Sequence, residues 1–175
     1  MNTAHAHALP TISLPGATWY RAVDPAFASA APRPSARPTR FNSGPAVSPS
    51  FRLLYFAPDP LTALFEVEAL LGSVFTFSIP NPSRGALVVS HSVPPLDIID
   101  LGDPVNRSIV DTTRQEMTGD WRLYRHPSTT PAPTQEIARA VHQAHPAAHA
   151  ILAPSARNPS VNNLVVFYDR VLNVP

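Results

Sequence analysis

At 175 residues, with 44% apolar and 14% charged, the chain is long enough for one domain with a real core and too apolar to stay disordered. A net charge of +1 excludes nucleic-acid binding carried by bulk positive charge, which needs a concentrated basic face, so no direct nucleic-acid partner is expected. The absence of cysteine and of lysine among the 13 basic residues excludes disulfide frameworks, thiol nucleophiles, thiolate metal sites, Schiff-base chemistry and a P-loop lysine.

No window approaches a membrane-spanning run of apolar residues, and Met1–Pro10 has neither a basic start nor an apolar core. No membrane partner and no secretory signal are therefore expected, and the expected location is the cytoplasm. Prolines number 22 against 6 glycines and mark stiff connections at 25–49, 80–95, 127–133 and 154–159. Residues 1–15 read as a flexible tail and 16–175 as a single domain. In chain order, Thr18–Val23 and Phe51–Ala57 read as strands. Asp59-Pro60 is an N-cap followed by the first helical position, opening a helix that runs to about Leu71 and stops at Gly72. Ser73–Ile79, Gly85–Val93 and Leu96–Leu101 read as strands. Asp103-Pro104 repeats the cap signal for a helix to about Met117, and Thr134–His145 forms another with Ile137, Val141 and Ala144 on one face. Ala150–Ala153 and Asn163–Tyr168 are late strands. Strict alternation of strand and helix is absent, which argues for a mixed α+β domain and against a doubly wound parallel sheet.

Standard motifs are missing: there is no G-x-G-x-x-G, P-loop, H-E-x-x-H or G-x-S-x-G. His142, His145 and His149 surround a helix end, where the helix dipole explains them better than a metal does. The helix after Asp59 carries more information. On a continuous helix, Glu66 and Glu68 lie about 200° apart and cannot share a site. Glu66 has Thr62, Ala63 and Leu70 for neighbours, a setting in which a carboxylate needs a partner. On spacing alone, pairing with a structural arginine is the favoured reading. Arg21 in Trp19-Tyr20-Arg21 and Arg40 in Arg40-Phe41-Asn42 lie beside aromatics at element ends, and guanidinium forks match phosphate or carboxylate oxygens. Taken singly, each is more readily a surface or structural arginine than a binding one. Tyr55 alone reads as a core tyrosine with a bonded hydroxyl, and Ser155 alone as a loop residue.

Taken in order, several segments form a pattern. They are Trp19-Tyr20-Arg21, Arg40-Phe41-Asn42 with Gly44, and Leu54-Tyr55-Phe56-Ala57 leading through Pro60, Thr62, Ala63 and Leu64 to Glu66. Thr118-Gly119-Asp120-Trp121, Thr134-Gln135-Glu136-Ile137-Ala138, Pro154-Ser155-Ala156-Arg157 and Asn163-Leu164-Val165-Val166-Phe167 follow. This ordered set resembles the RES-domain family, the toxin half of Xre–RES toxin–antitoxin pairs. One departure is Thr39, where relatives commonly carry glycine.

The resemblance implies a fold related to ADP-ribosyltransferase toxins, NAD as substrate, no metal, and a neutralising Xre-type antitoxin; a homodimer is compatible with it. It implies an NAD glycohydrolase or NAD phosphorylase, the alternatives being an ADP-ribosyltransferase acting on a protein and a non-catalytic binding module. By position, the implied catalytic residues are Glu66, Arg21 and Ser155, and the implied NAD-binding residues are Arg21, Arg40, Tyr55 and Ser155. Glu66 would stabilise an oxocarbenium-like state, the arginines would hold pyrophosphate, and Tyr55 would stack on nicotinamide. Ser155 would bond a ribose hydroxyl or orient Glu66, and Trp121 would form part of the pocket wall. Glu68, expected on the opposite helix face, would be dispensable, which favours a small acceptor over a protein.

Overall fold

The computed structural model describes residues 2–28, 38–44, 51–125 and 131–171. Most of the Pro/Ala-rich loop 24–38 lies outside the described residues. In chain order the elements are β1 (Thr11–Leu14), β2 (Ala17–Val23), β3 (Leu53–Phe56), α1 (Pro60–Glu66), β4 (Leu70–Gly72), β5 (Ser78–Pro80), β6 (Leu87–Val93) and β7 (Leu96–Asp100). After these come α2 (Pro104–Ile109), α3 (Arg114–Thr118), α4 (Pro133–Ala144), β8 (Ala150–Pro154), β9 (Asn162–Phe167) and α5 (Tyr168–Val171).

Five strands form the central sheet in the order β1-β7-β8-β9-β3. Every neighbouring pair is antiparallel except β7 with β8, whose parallel pairing requires the long crossover through α2, α3 and α4. A β2–β6 ribbon docks beside this sheet through the Tyr20–Ala57 bridge at the end of β3. The mixed α+β architecture expected from the sequence is what forms.

The apolar sequence of β9 follows from burial on both faces. Leu164 and Val166 pack with Trp19, Phe56 and Ile98 on one side, while Val165 and Phe167 join Ile137, Val141 and Ile151 on the other. Alternate residues of a strand point to opposite faces, so a doubly covered strand cannot alternate with polar residues. Burying Phe167, which is 0% exposed, contributes roughly 2–3 kcal/mol.

Four boundaries differ from the sequence expectation. Residues 1–15 are not a loose tail: Thr3–Ala8 is a 3-10 helix, Ala6 and Leu9 enter the core, and β1 pairs with β7. Being a four-residue edge strand, β1 carries little alternation to read. Second, α1 ends at Glu66 rather than Leu71, because Glu68 adopts a left-handed φ of 60°. Leu70–Gly72 turns into a hairpin with β5, and Gly72 (φ 106°) is a hairpin glycine. A Cβ there would lie 2.3 Å from the Phe77 carbonyl oxygen. Third, of the expected strand 73–79 only Ser78 and Ile79 are paired, within β5. Fourth, the expected helix 103–117 is two helices, broken at Asp111 (φ 49°) and restarted by a Thr113/Glu116 capping box. No helix among the described residues is long and apolar enough to cross a membrane.

The histidines near α4 have structural partners. His142 stacks on Phe51 at 4.7 Å and meets Phe167 edge-on at 5.0 Å, while His145 Nε2 pairs with the Ala6 carbonyl at 2.7 Å. Burial, and then the Arg170 cation, hold the His142 pKa below its ordinary value, with Asp169 opposing. His91 is lowered too, by burial and then by Arg21. The unfolded chain therefore binds protons that the native state refuses, so stability is fully present above about pH 6.5 and declines as pH falls below it. Melting curves from about pH 7.5 to about pH 5 should show this decline, and His142→Phe should make it shallower. An equal slope in the variant would show that His142 is not responsible.

Candidate functional site

The cleft opens where β2, the end of β3, α1, the 39–41 turn and the loop after β8 meet. It encloses about 310 Å³ and is lined by Tyr20, Arg21, Arg40, Tyr55, Phe56, Glu66, Trp121, Arg122, Arg157 and Asn163, among others. Five residues singled out in the sequence, Arg21, Arg40, Tyr55, Glu66 and Trp121, thus face one space. Ser155 does not line it; the side chain is buried directly behind Glu66.

Glu66 reaches the cleft because α1 starts where it does. Asp59 caps the helix, its Oδ1 accepting the Thr62 N–H at 2.8 Å and its Oδ2 the Thr62 hydroxyl at 2.7 Å. Thr62 Oγ1 in turn accepts from Asn158 Nδ2 at 2.8 Å, which ties the helix to the loop between β8 and β9. In that loop Ser155 Oγ accepts the backbone N–H groups of Asn158 (2.9 Å) and Arg157 (3.2 Å). With its acceptor capacity spent there, the hydroxyl donates its one proton to Glu66 Oε1 at 2.5 Å. Asn163 Nδ2 donates to the same oxygen at 2.7 Å. Both bonds fall on Oε1, leaving Oε2 for the cleft.

The 39–42 turn that carries Arg40 is held mainly by α4. Gln135 Nε2 donates to the carbonyls of Thr39 (2.7 Å) and Asn42 (3.2 Å), and Thr134 Oγ1 to that of Arg40 at 2.5 Å. Thr39 makes use of its side chain: its hydroxyl and that of Tyr55 are 2.5 Å apart, and the Phe41 N–H donates to Tyr55 Oη at 3.1 Å. Burial pushes the Tyr55 phenol up to about 12, so it remains a neutral, oriented ring.

Arg40 Nη1 donates to the carbonyls of Gly119 (2.6 Å) and Met117 (3.2 Å), and Arg21 lies over the Phe56 ring, 5.7 Å from its centre. Burial lowers the pKa of both guanidinium groups, an effect that the Glu66 carboxylate opposes at Arg40. Half-buried cations of this kind are incompletely compensated by the protein and favour an anionic ligand.

Asn163, Arg122 and Arg157 also belong to the cleft; Asn163 and Arg157 lie within the ordered segments of the sequence pattern without an assigned role there, and Arg122 lies just outside them. Asn163 also stands out as a polar residue at the start of a strand otherwise buried on both faces. Among the described residues, no three His, Asp or Glu side chains stand close enough to hold a metal ion.

A protein-family model described as the RES domain matches residues 18–175. Among solved structures, a chain of the M. tuberculosis MbcT–MbcA toxin–antitoxin complex is similar, with a TM-score of 0.61 and 19% sequence identity. The match covers 96% of this chain and 82% of that one. No curated protein sequence matches the chain. At this identity the structural likeness speaks to the fold alone, a mixed single domain of helices and strands. The family match spans nearly the whole chain and includes every residue of the cleft, and the protein belongs to the RES domain family.

Proposed function

We propose that this protein is the toxin of a toxin–antitoxin pair and consumes NAD by cleaving its nicotinamide–ribose bond, with water or phosphate as acceptor. The observation that carries this reading is a single carboxylate, Glu66, aimed by Ser155 and Asn163 into a cleft that also presents arginine and aromatic side chains. Cleavage passes through a cation centred on the ribose C1. As the C1–N bond breaks, its electron pair moves onto the pyridinium nitrogen and nicotinamide leaves neutral, needing no general acid. What the reaction needs is negative charge beside the forming cation, and Glu66 Oε2 supplies it. Arg21 and Arg40 hold the pyrophosphate, Tyr55 packs on the nicotinamide, and the acceptor oxygen adds to C1, a water acceptor releasing its proton to solvent.

Ser155 acts in this scheme through Glu66 and does not touch the substrate. Ser155→Ala should therefore lower kcat about tenfold while moving KM less, since its loss frees the carboxylate without removing an NAD contact. Steady-state rates of NAD loss check this; a KM change alone would contradict it.

A small acceptor is favoured over a protein because Glu68, the second acid near the cleft, is engaged by arginines and is not free to activate a target side chain. An enzyme that drains NAD needs a neutralising partner, and the structural neighbour is part of a toxin–antitoxin complex. An Xre-type antitoxin is the partner we assign. Incubation of the purified protein with NAD, with and without phosphate, tests the chemistry. Nicotinamide with ADP-ribose or its 1-phosphate is the expected product set; labelled protein would indicate a transferase, and intact NAD would refute the reading. Growth arrest relieved by the neighbouring reading frame tests the partner.

A further inference from the structure

Three arginines converge on Glu68 at the edge of the cleft. Its Oε1 accepts a 2.5 Å hydrogen bond from Arg157 Nη2 and lies 3.8 Å from Arg122 Nη2, and its Oε2 lies 3.9 Å from Arg84 Nη2. Arg157 and Arg122 line the cleft while Glu68 does not, so the carboxylate holds them from outside the cleft. A guanidinium has five N–H donors, and the bond that Arg157 gives Glu68 leaves others for a ligand. Three arginines around Glu68, with Asp120 3.9 Å from Arg122 as a second carboxylate, still leave the cluster positively charged.

The backbone at the end of α1 sets this arrangement. On a continued helix, position 68 would lie about 200° from Glu66. Instead φ at Glu68 is 60°, which brings its carboxylate to two of the arginines that share the cleft with Glu66. The conformation is held by the Glu68 N–H donating to the Phe65 carbonyl at 3.0 Å and by Asn81 Nδ2 donating to the Glu68 carbonyl at 2.8 Å. With the Ala69 N–H also donating to the Leu64 carbonyl at 3.0 Å, Glu68 occupies the left-handed position of a Schellman turn that closes α1.

We propose that Arg157 and Arg122 form an outer anion subsite of the cleft for a phosphate group of the substrate, and that Glu68 is the positioning residue that orients them. This rests on the reading of the cleft as an NAD site. Arg21 and Arg40 then form the inner pair, and the dinucleotide's phosphates lie between inner and outer guanidinium groups.

The test compares Glu68→Gln, which keeps shape and removes charge, with Glu68→Gly, which removes the side chain and suits the backbone. Affinities for ADP-ribose and for inorganic pyrophosphate are measured by calorimetry, NAD kinetics at steady state, and thermal stability in parallel. Both variants should bind ADP-ribose about tenfold more weakly, with the kinetic loss falling on KM rather than kcat, and Glu68→Gly should melt no lower than Glu68→Gln. Arg157→Ala should mask most of the effect of Glu68→Gln when the two are combined. Unchanged affinity in both variants, additive losses, or a loss confined to kcat would overturn the proposal. A wild type that binds ADP-ribose and pyrophosphate but leaves NAD intact would refute the enzymatic reading and retain the subsite. A wild type that binds neither anion would overturn the subsite.

Discussion

Replacing Glu66 by glutamine is expected to slow NAD consumption by at least about two orders of magnitude while leaving the fold intact. Removing a preorganised charge from beside the developing transition-state charge typically costs that much. The substitution is nearly isosteric, and a glutamine amide oxygen can still accept from both Ser155 and Asn163, which bond only Oε1 in the wild type. Loss of rate with an unchanged melting temperature and nearly unchanged affinity for ADP-ribose is the expected pattern, read from chromatography of the reaction and from calorimetry. A variant that retains its rate would remove the carboxylate from the mechanism.

Arg21→Lys and Arg40→Lys should each weaken NAD binding by about 10- to 100-fold, because an ammonium keeps the charge but not the two-pronged geometry that matches phosphate. The two should differ in stability. Arg40 also donates to the carbonyls of Met117 and Gly119 at the end of α3, so Arg40→Lys should lower the melting temperature as well. Arg21 rests on the Phe56 ring, a contact that an ammonium can partly replace, so Arg21→Lys should leave stability closer to wild type. Calorimetric titration separates the cases. Unchanged affinity in both variants would move phosphate recognition away from the inner pair, toward Arg157 and Arg122.

If both results hold, inhibition by an antitoxin has a natural point of attack. Any acidic group that occupies the guanidinium groups of this cleft competes directly with pyrophosphate. The half-buried state of Arg21 and Arg40 makes such competition effective, since these cations are incompletely compensated by the protein's own groups.

The local signals in the sequence proved the reliable ones. Asp59-Pro60 and Asp103-Pro104 do cap helices, α4 does bury Ile137 and Val141, and the late apolar runs are strands. Each depends on interactions within about four residues, or on a period that burial imposes directly, so neighbouring residue types suffice to reveal it. The ordered motifs also pointed to Arg21, Arg40, Tyr55 and Glu66, which share one cleft. Tertiary structure alone decided the rest. No glycine marks the end of α1 at Glu66; a left-handed Glu68, its N–H closed on the Phe65 carbonyl and its own carbonyl pinned by Asn81 just after the following hairpin, ends the helix and turns an expected bystander into the hub of three arginines. The partners of Glu66 are likewise remote, with Ser155 89 positions and Asn163 97 positions away along the chain. A carboxylate can be read from one residue, but what aims it is set by which distant side chains the sheet order brings within hydrogen-bond reach, and no local pattern encodes that distance.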